Sequence, residues 1–257
     1  MDRQVHRREL IALALLPALA FALAGCDTCS GGAVASRAPD AADAAGSGVV
    51  LPRTPAATGP KLHGWPAAGA GRHPAIVLLH GAAGPGLFTD ATSDHRRYPE
   101  QLAAAGYAVF MPYYAEERGD ALEVATLAFE QVRTDPSVDP SRVAVVGFSR
   151  GANLALRLGV ENAHVAAVVE FYGWLSGADA AKMTRMPPTL ILHGAKDTDV
   201  KVDEAYKLEG LFRAKKVEYE LLVYPEGEHG FGRAILPDSI TRAITFLDAH
   251  LRADAAH

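Results

Sequence analysis

The sequence predicts an α/β fold, a mostly parallel sheet with helices on both faces. Three observations carry this expectation. From about residue 61 onward, apolar stretches of strand character alternate with stretches of helical spacing, the pattern of a parallel sheet covered on both sides. The chain has 257 residues, 49% of them apolar, enough for one ordinary α/β core with residues to spare. Three chemistry-bearing segments each follow directly on an apolar strand, at the carboxyl edge where open α/β sheets bind ligands.

The N-terminus is expected to lie outside the fold. Arg3, Arg7 and Arg8 precede an apolar run from Leu10 to Ala24, which ends Leu23-Ala24-Gly25-Cys26. The run is shorter than the roughly 20 residues of a usual membrane span. Residues 1–25 read as a bacterial lipoprotein-type signal, with small residues before a cysteine, Cys26, that becomes lipidated. Arg7-Arg8 also loosely resembles a twin-arginine export signal. More than one acyl chain gives stable anchoring, at roughly 0.8 kcal/mol per buried methylene. Residues 26–60 are rich in Ala, Gly, Ser, Asp and Pro without hydrophobic period and read as the lipidation site and a flexible tether. The expected location is extracytoplasmic and membrane-anchored, on the periplasmic side in a Gram-negative cell. The chain's two cysteines are Cys26 and Cys29, so the domain at 61–252 is expected to have neither a disulfide nor a thiol nucleophile. Cys29 reads as a linker residue.

The first expected strand, near 75–79, is Ala75-Ile76-Val77-Leu78-Leu79. It leads into His80-Gly81-Ala82-Ala83-Gly84, whose small residues let backbone amides approach a bound group closely. A helix near 95–105, a strand near 107–111 and a helix near 119–133 follow. In the last of these, Leu122, Ala125, Phe129 and Val132 fall on one face. The strand near 142–147 runs into Gly147-Phe148-Ser149-Arg150-Gly151, and a helix is expected over 150–160. G-x-S-x-G between a strand and a helix is a nucleophile elbow: a strained turn lifts the serine hydroxyl above the sheet edge.

The next strand, near 165–171, ends in Glu170, a carboxylate that is costly to bury without a partner. Tyr172 and Trp174 follow as candidate pocket residues, with plain packing as the alternative. Gly173 to Pro187 is the place for a lid. About fifteen residues cannot hold a helical cap domain, so an open or lightly covered site is expected. The strand near 189–193 leads into His193-Gly194-Ala195-Lys196-Asp197-Thr198-Asp199-Val200. A helix near 202–214, a strand near 217–224 and the turn Glu226-Gly227-Glu228-His229-Gly230-Phe231 follow, then a helix near 237–251.

A serine hydroxyl needs a base to take its proton and a third group to orient that base. Ser149, Asp197 and His229 stand in the order Ser, acid, His that this elbow context calls for. Asp199 competes with Asp197 for the acid role, and Asp203 reads as a helix start. The oxyanion donors are assigned to the backbone amides of Ala82 and Arg150, with Gly81 or Ala83 as alternates for the first. His80 and His193 read as structural. Arg150 could bind a substrate carboxylate or pair with a neighbouring acid.

Over residues 61–252 the chain resembles the dienelactone hydrolase family of α/β-hydrolases. The resemblance rests on His80-Gly81-x-x-Gly84, on Val138-Asp139-Pro140-Ser141-Arg142-Val143 leading into the elbow, on His193-Gly194-x-x-Asp197, and on Glu228-His229-Gly230-Phe231. It implies Ser149, Asp197 and His229 as the triad on an α/β-hydrolase fold without a large cap. The founding members carry a cysteine nucleophile, where this chain has Ser149. They gate that cysteine with a glutamate near the first loop, where this chain has Gly81 or a neighbour. Serine members of the wider family resemble general carboxylesterases.

The resulting expectation is a serine hydrolase of small carboxylic esters or lactones, with no cofactor and no metal. Peptide or thioester cleavage on the same triad, or a binding lipoprotein that kept the fold, are the rival readings. The net charge of −5 and the lack of a basic cluster in the globular part give nucleic-acid binding no support. The expected partners are a small substrate and, through the anchor, a membrane.

Overall fold

The computed structural model describes residues 59–114 and 121–252. The signal segment, Cys26, Cys29 and nearly all of the tether lie outside the described residues, as do positions 119–120 of the helix expected from residue 119. The elements run β1 (Leu62–Trp65), β2 (His73–Leu79), α1 (Gly86–Thr89), α2 (Arg97–Ala104), β3 (Ala108–Pro112), α3 (Ala121–Arg133), β4 (Val138–Phe148), α4 (Arg150–Glu161), β5 (Val168–Phe171), α5 (Gly177–Lys182), β6 (Thr189–Gly194), α6 (Asp203–Lys215), β7 (Tyr219–Tyr224) and α7 (Leu236–Leu251).

Among the described residues the strands form one sheet in the order β1-β3-β2-β4-β5-β6-β7. Every pairing is parallel except that of β1 with β3. The central strands are buried on both faces, which is why they read as unbroken apolar runs. Along β2 the side chains divide by the period of two. Ala75, Val77 and Leu79 join the core under α3, α4 and α6. Ile76 and Leu78 join the core under α2 and α7, which supply Tyr98, Leu102, Ile240, Phe246 and Leu247. The Tyr98 hydroxyl lies 2.6 Å from Ser239 Oγ and ties α2 to α7. Of the face expected on α3, Ala125, Phe129 and Val132 are buried, and Leu122 packs partly buried against the same cluster. No helix among the described residues is long and apolar enough to cross a membrane.

Three elements were not expected. Strand β1 has four residues, too few for a periodic signal, and is held by its antiparallel pairing along Val109–Pro112. Helix α1 is a single turn behind Pro85. Helix α5 sits in the segment read as a lid and did leave a local signal. Ser176 Oγ accepts from the Asp179 amide (3.1 Å) and donates to Asp179 Oδ2 (2.6 Å), a side-chain cap at the helix start. Strand β4 also begins earlier than expected, because Val138 already pairs with His73 before the register shifts toward Ala75.

Candidate active site

The elbow is built by close approach. Ser149 has φ 54° and ψ −118°, in the left-handed half of backbone space where side chains are strained. Two glycines make room for it. A Cβ at Gly151 would overlap the Leu79 carbonyl oxygen, and one at Gly147 would overlap the Gly151 carbonyl oxygen. The turn is pinned from the neighbouring strand, since the Ser149 amide donates to the Phe171 carbonyl at 2.8 Å. Helix α4 starts at the next residue, so its N-terminal amides and the positive end of its dipole lie beside the serine. From the other side, the β2 loop presses in. A Cβ on Gly81 would come within 2.9 Å of the Phe148 carbonyl oxygen and 3.1 Å of Ser149 Cβ.

Loops following β4, β6 and β7 meet over this turn. His229 Nε2 lies 3.0 Å from Ser149 Oγ, and His229 Nδ1 lies 2.8 Å from Asp197 Oδ2. The other oxygen of Asp197 accepts from the amides of Asp199 and Val200, each at 2.9 Å. The carboxylate is thus buried with both oxygens engaged, and its free rotation is removed. Of the two acids considered, Asp197 is the one against the histidine. Asp199 is exposed and reaches the carboxylate through its amide. Asp203 is the first residue of α6. Such an arrangement can move the serine proton to an imidazole whose tautomer is held from behind.

The surrounding histidines hold loops. His193, buried at the end of β6, donates from Nε2 to the Val200 carbonyl at 2.8 Å, with Asp197 Oδ2 at 3.6 Å. Burial pushes its pKa down, so the neutral ring ties the acid loop to the strand end. His80 bonds the Gly81 carbonyl through Nδ1 at 2.9 Å and stacks on Tyr114 with ring centres 3.9 Å apart. His95 was not singled out in the sequence. Its Nε2 lies 2.6 Å from the Gly230 carbonyl, latching the turn that carries His229 from 135 residues away. Burial holds its pKa low, which keeps the ring neutral. No local spacing marks such a long-range latch.

The two pocket candidates part company. Tyr172, with φ 44°, is buried edge-on to the His229 ring at 4.8 Å and to Phe231 at 5.1 Å. It packs the His229 ring in place. Trp174 turns toward the segment leading to α5, where its carbonyl accepts from Asn153 Nδ2 at 3.0 Å. Arg150 opens α4.

Glu170 is fully buried on β5. Its Oε2 accepts from the Gly173 amide at 2.8 Å, and its Oε1 has no hydrogen-bond partner among the described residues. Desolvation pushes its pKa from 4.5 to about 8, so it is a neutral acid at pH 7. Between about pH 4.5 and 8 the folded state keeps a proton that the unfolded chain has released, so stability falls as pH rises through that window. The total is on the order of a few kcal/mol. Glu170→Gln cannot ionise, so the fall in melting temperature from pH 5 to pH 9 should shrink by roughly 5 °C or more. Parallel melting curves for the two proteins would contradict this account of Glu170.

A parallel sheet wrapped by helices, with a strained strand-to-helix serine and a loop histidine and aspartate brought to it, defines an α/β-hydrolase fold. The family model for the dienelactone hydrolase family matches residues 115–243, and the chain belongs to that family. A Yersinia pestis protein named "Putative carboxymethylenebutenolidase" is 29% identical over 108 residues, 38% of this chain and 40% of the relative. The chain thus spans about two fifths of the length of that curated relative. Among solved structures, a dienelactone hydrolase-type protein from Klebsiella pneumoniae is 19% identical and superposes with a TM-score of 0.62 over 74% of this chain and 94% of its own. The thermophilic esterase Est2 of Thermogutta terrifontis, with propionate bound, is 22% identical, with a TM-score of 0.62 over 74% of this chain and 89% of its own. These two likenesses are of fold.

Proposed function

We propose that this chain is a serine hydrolase of small carboxylic esters or lactones. The observation that carries the reading is the continuous relay from Ser149 Oγ through His229 to Asp197, at 3.0 and 2.8 Å. His229 takes the Ser149 proton as the oxygen attacks the ester carbonyl, and a tetrahedral intermediate forms. Asp197 holds the imidazole with Nε2 toward the serine and stabilises its positive charge. The amides of Ala82 and Arg150 receive the oxyanion, one from the loop pressed against Ser149 and one from the first turn of α4. The imidazolium returns its proton to the leaving alcohol, and water releases the acyl group by the same steps in reverse. Membership of the dienelactone hydrolase family supports ester chemistry over the rival acyl transfers.

The segment between β5 and β6 carries one six-residue helix, α5. So small a cover leaves little surface to hold a long acyl chain. Wild-type protein assayed with 4-nitrophenyl esters is expected to favour acetyl and butyryl over palmitoyl esters by about tenfold or more in kcat/KM, a gap of roughly 1.4 kcal/mol. No turnover of any ester would reject the reading, and preference for palmitoyl would reject its open-site part.

The tether belongs to the same reading. Residues 1–25 act as a lipoprotein signal, and Cys26 carries the lipid that holds the enzyme at an extracytoplasmic membrane face. Cells fed a radiolabelled fatty acid should label the wild-type chain and not Cys26→Ala. Equal labelling would reject the anchor.

A further inference from the structure

A cavity of about 830 Å³ opens against the acid loop at Asp199 and Val200, two and three residues past Asp197, and is lined by none of the relay residues. It lies between the α5 segment and α6, and its size is within the roughly 300–1,000 Å³ of small-molecule sites. Its apolar wall is made by Trp174, Leu175, Leu208 and Leu211. Its polar lining includes Asp199, Lys201, Glu204 and Lys207. Both walls are fastened to the catalytic centre. Asp199 and Val200 give their amides to Asp197, and the Trp174 carbonyl is held by Asn153, whose own amide donates to the Ser149 carbonyl. The α5 wall is further drawn to α4 by Arg157, whose Nε is 3.6 Å from Asp179.

We propose that this cavity is the subsite for the alcohol half of the substrate and that the alcohol is an uncharged sugar ring, so that the enzyme removes short acyl groups from acylated sugars. The inference rests on the hydrolase reading above. Position argues for the alcohol half. The cavity adjoins the acid loop and the end of β5, the two segments that touch His229, and the departing oxygen must collect its proton from that histidine. Surface chemistry argues for the sugar. One face of a pyranose is C–H and lies flat on an apolar aromatic wall, while its rim is hydroxyl. Two carboxylates and two ammoniums supply acceptors and donors to such a rim, and their charges cancel, so neither an anionic nor a cationic ligand is favoured. Lys207 is occupied by Glu204 at 2.6 Å. Lys201, exposed and without an ion pair among the described residues, is left to meet a hydroxyl. An alkyl chain filling the same space would strip water from these charged groups and return no hydrogen bonds.

The test compares a mono-O-acetylated methyl glycoside with ethyl acetate and 4-nitrophenyl acetate, using the full chain. The wild type should favour the acetylated glycoside over ethyl acetate by at least about 50-fold in kcat/KM, more than 2 kcal/mol of added binding. Trp174→Ala should cut kcat/KM for the glycoside by about 30-fold, mainly through KM, the range of losing a central aromatic anchor. Lys201→Ala, a change at an exposed side chain that spares the fold, should raise the glycoside KM about fivefold, as for one lost hydrogen bond of ordinary net strength. Ester turnover without preference for the glycoside overturns the subsite and leaves the hydrolase reading standing. A Trp174→Ala loss confined to the aryl ester assigns the cavity to aryl alcohols and also overturns the proposal. No turnover of any of the three esters removes the hydrolase reading itself.

Discussion

Asp197→Asn should lower kcat by about four orders of magnitude with the fold intact, the loss that follows when a triad histidine is held in the wrong tautomer. The geometry dictates the sign. One oxygen of Asp197 accepts from the Asp199 and Val200 amides, and the other faces His229 Nδ1. An asparagine must keep its carbonyl oxygen on the two amides, because turning it over would set an NH2 against two N–H donors. Its NH2 then points at His229 Nδ1, which can answer only as an acceptor. The ring proton moves to Nε2, facing Ser149 Oγ at 3.0 Å, and the base has no lone pair left for the serine. A steady-state assay with a chromogenic acetyl ester reads the effect directly. A loss below about tenfold would mean that the Asp197 contact only packs the loop.

The second large effect belongs to Ser149, the proposed nucleophile. Ser149→Ala should reduce ester hydrolysis by at least about 1000-fold, with whatever remains coming from bound water and the oxyanion amides. Alanine fits the elbow without new contacts, since the crowding there is met by Gly147 and Gly151 and not by the serine hydroxyl. The Ser149 amide keeps its bond to the Phe171 carbonyl. A melting temperature close to that of the wild type is therefore expected beside the lost activity. Equal rates would reject Ser149 as nucleophile.

Much of this arrangement could be read from the sequence, for an identifiable reason. Strands β2, β3, β5, β6 and the second half of β4 are buried on both faces, so burial imprinted them as runs that are apolar or nearly so, while β7 is only partly buried and was legible from Leu221-Leu222-Val223. The residues of the relay were legible because each follows such a strand, and a parallel sheet delivers all its carboxyl ends to one edge. What escaped is short or long-range. Strand β1 and helix α1 owe their form to neighbours in space, four residues leaving no period to detect. The choice between Asp197 and Asp199 needed the loop geometry, because two acids two residues apart look alike until one is shown taking backbone amides. The latch from His95 to Gly230 and the half-satisfied carboxyl of Glu170 are tertiary facts, and the sequence displays only a histidine near a helix start and an acid in an apolar strand. Tyr172 and Trp174 stood together as pocket candidates. The left-handed backbone at Tyr172 separates them, setting one ring against His229 and sending the other into the cavity by α6.

We propose that His229 and Asp197 make the Ser149 oxygen reactive. The decisive measurement treats the folded wild type and Ser149→Ala with a fluorophosphonate and maps the adduct by peptide mass spectrometry. One phosphonylated site is expected, on the peptide containing Ser149, with no adduct on the alanine variant. An unlabelled wild type, or a label that persists at another residue when Ser149 is replaced, would contradict it.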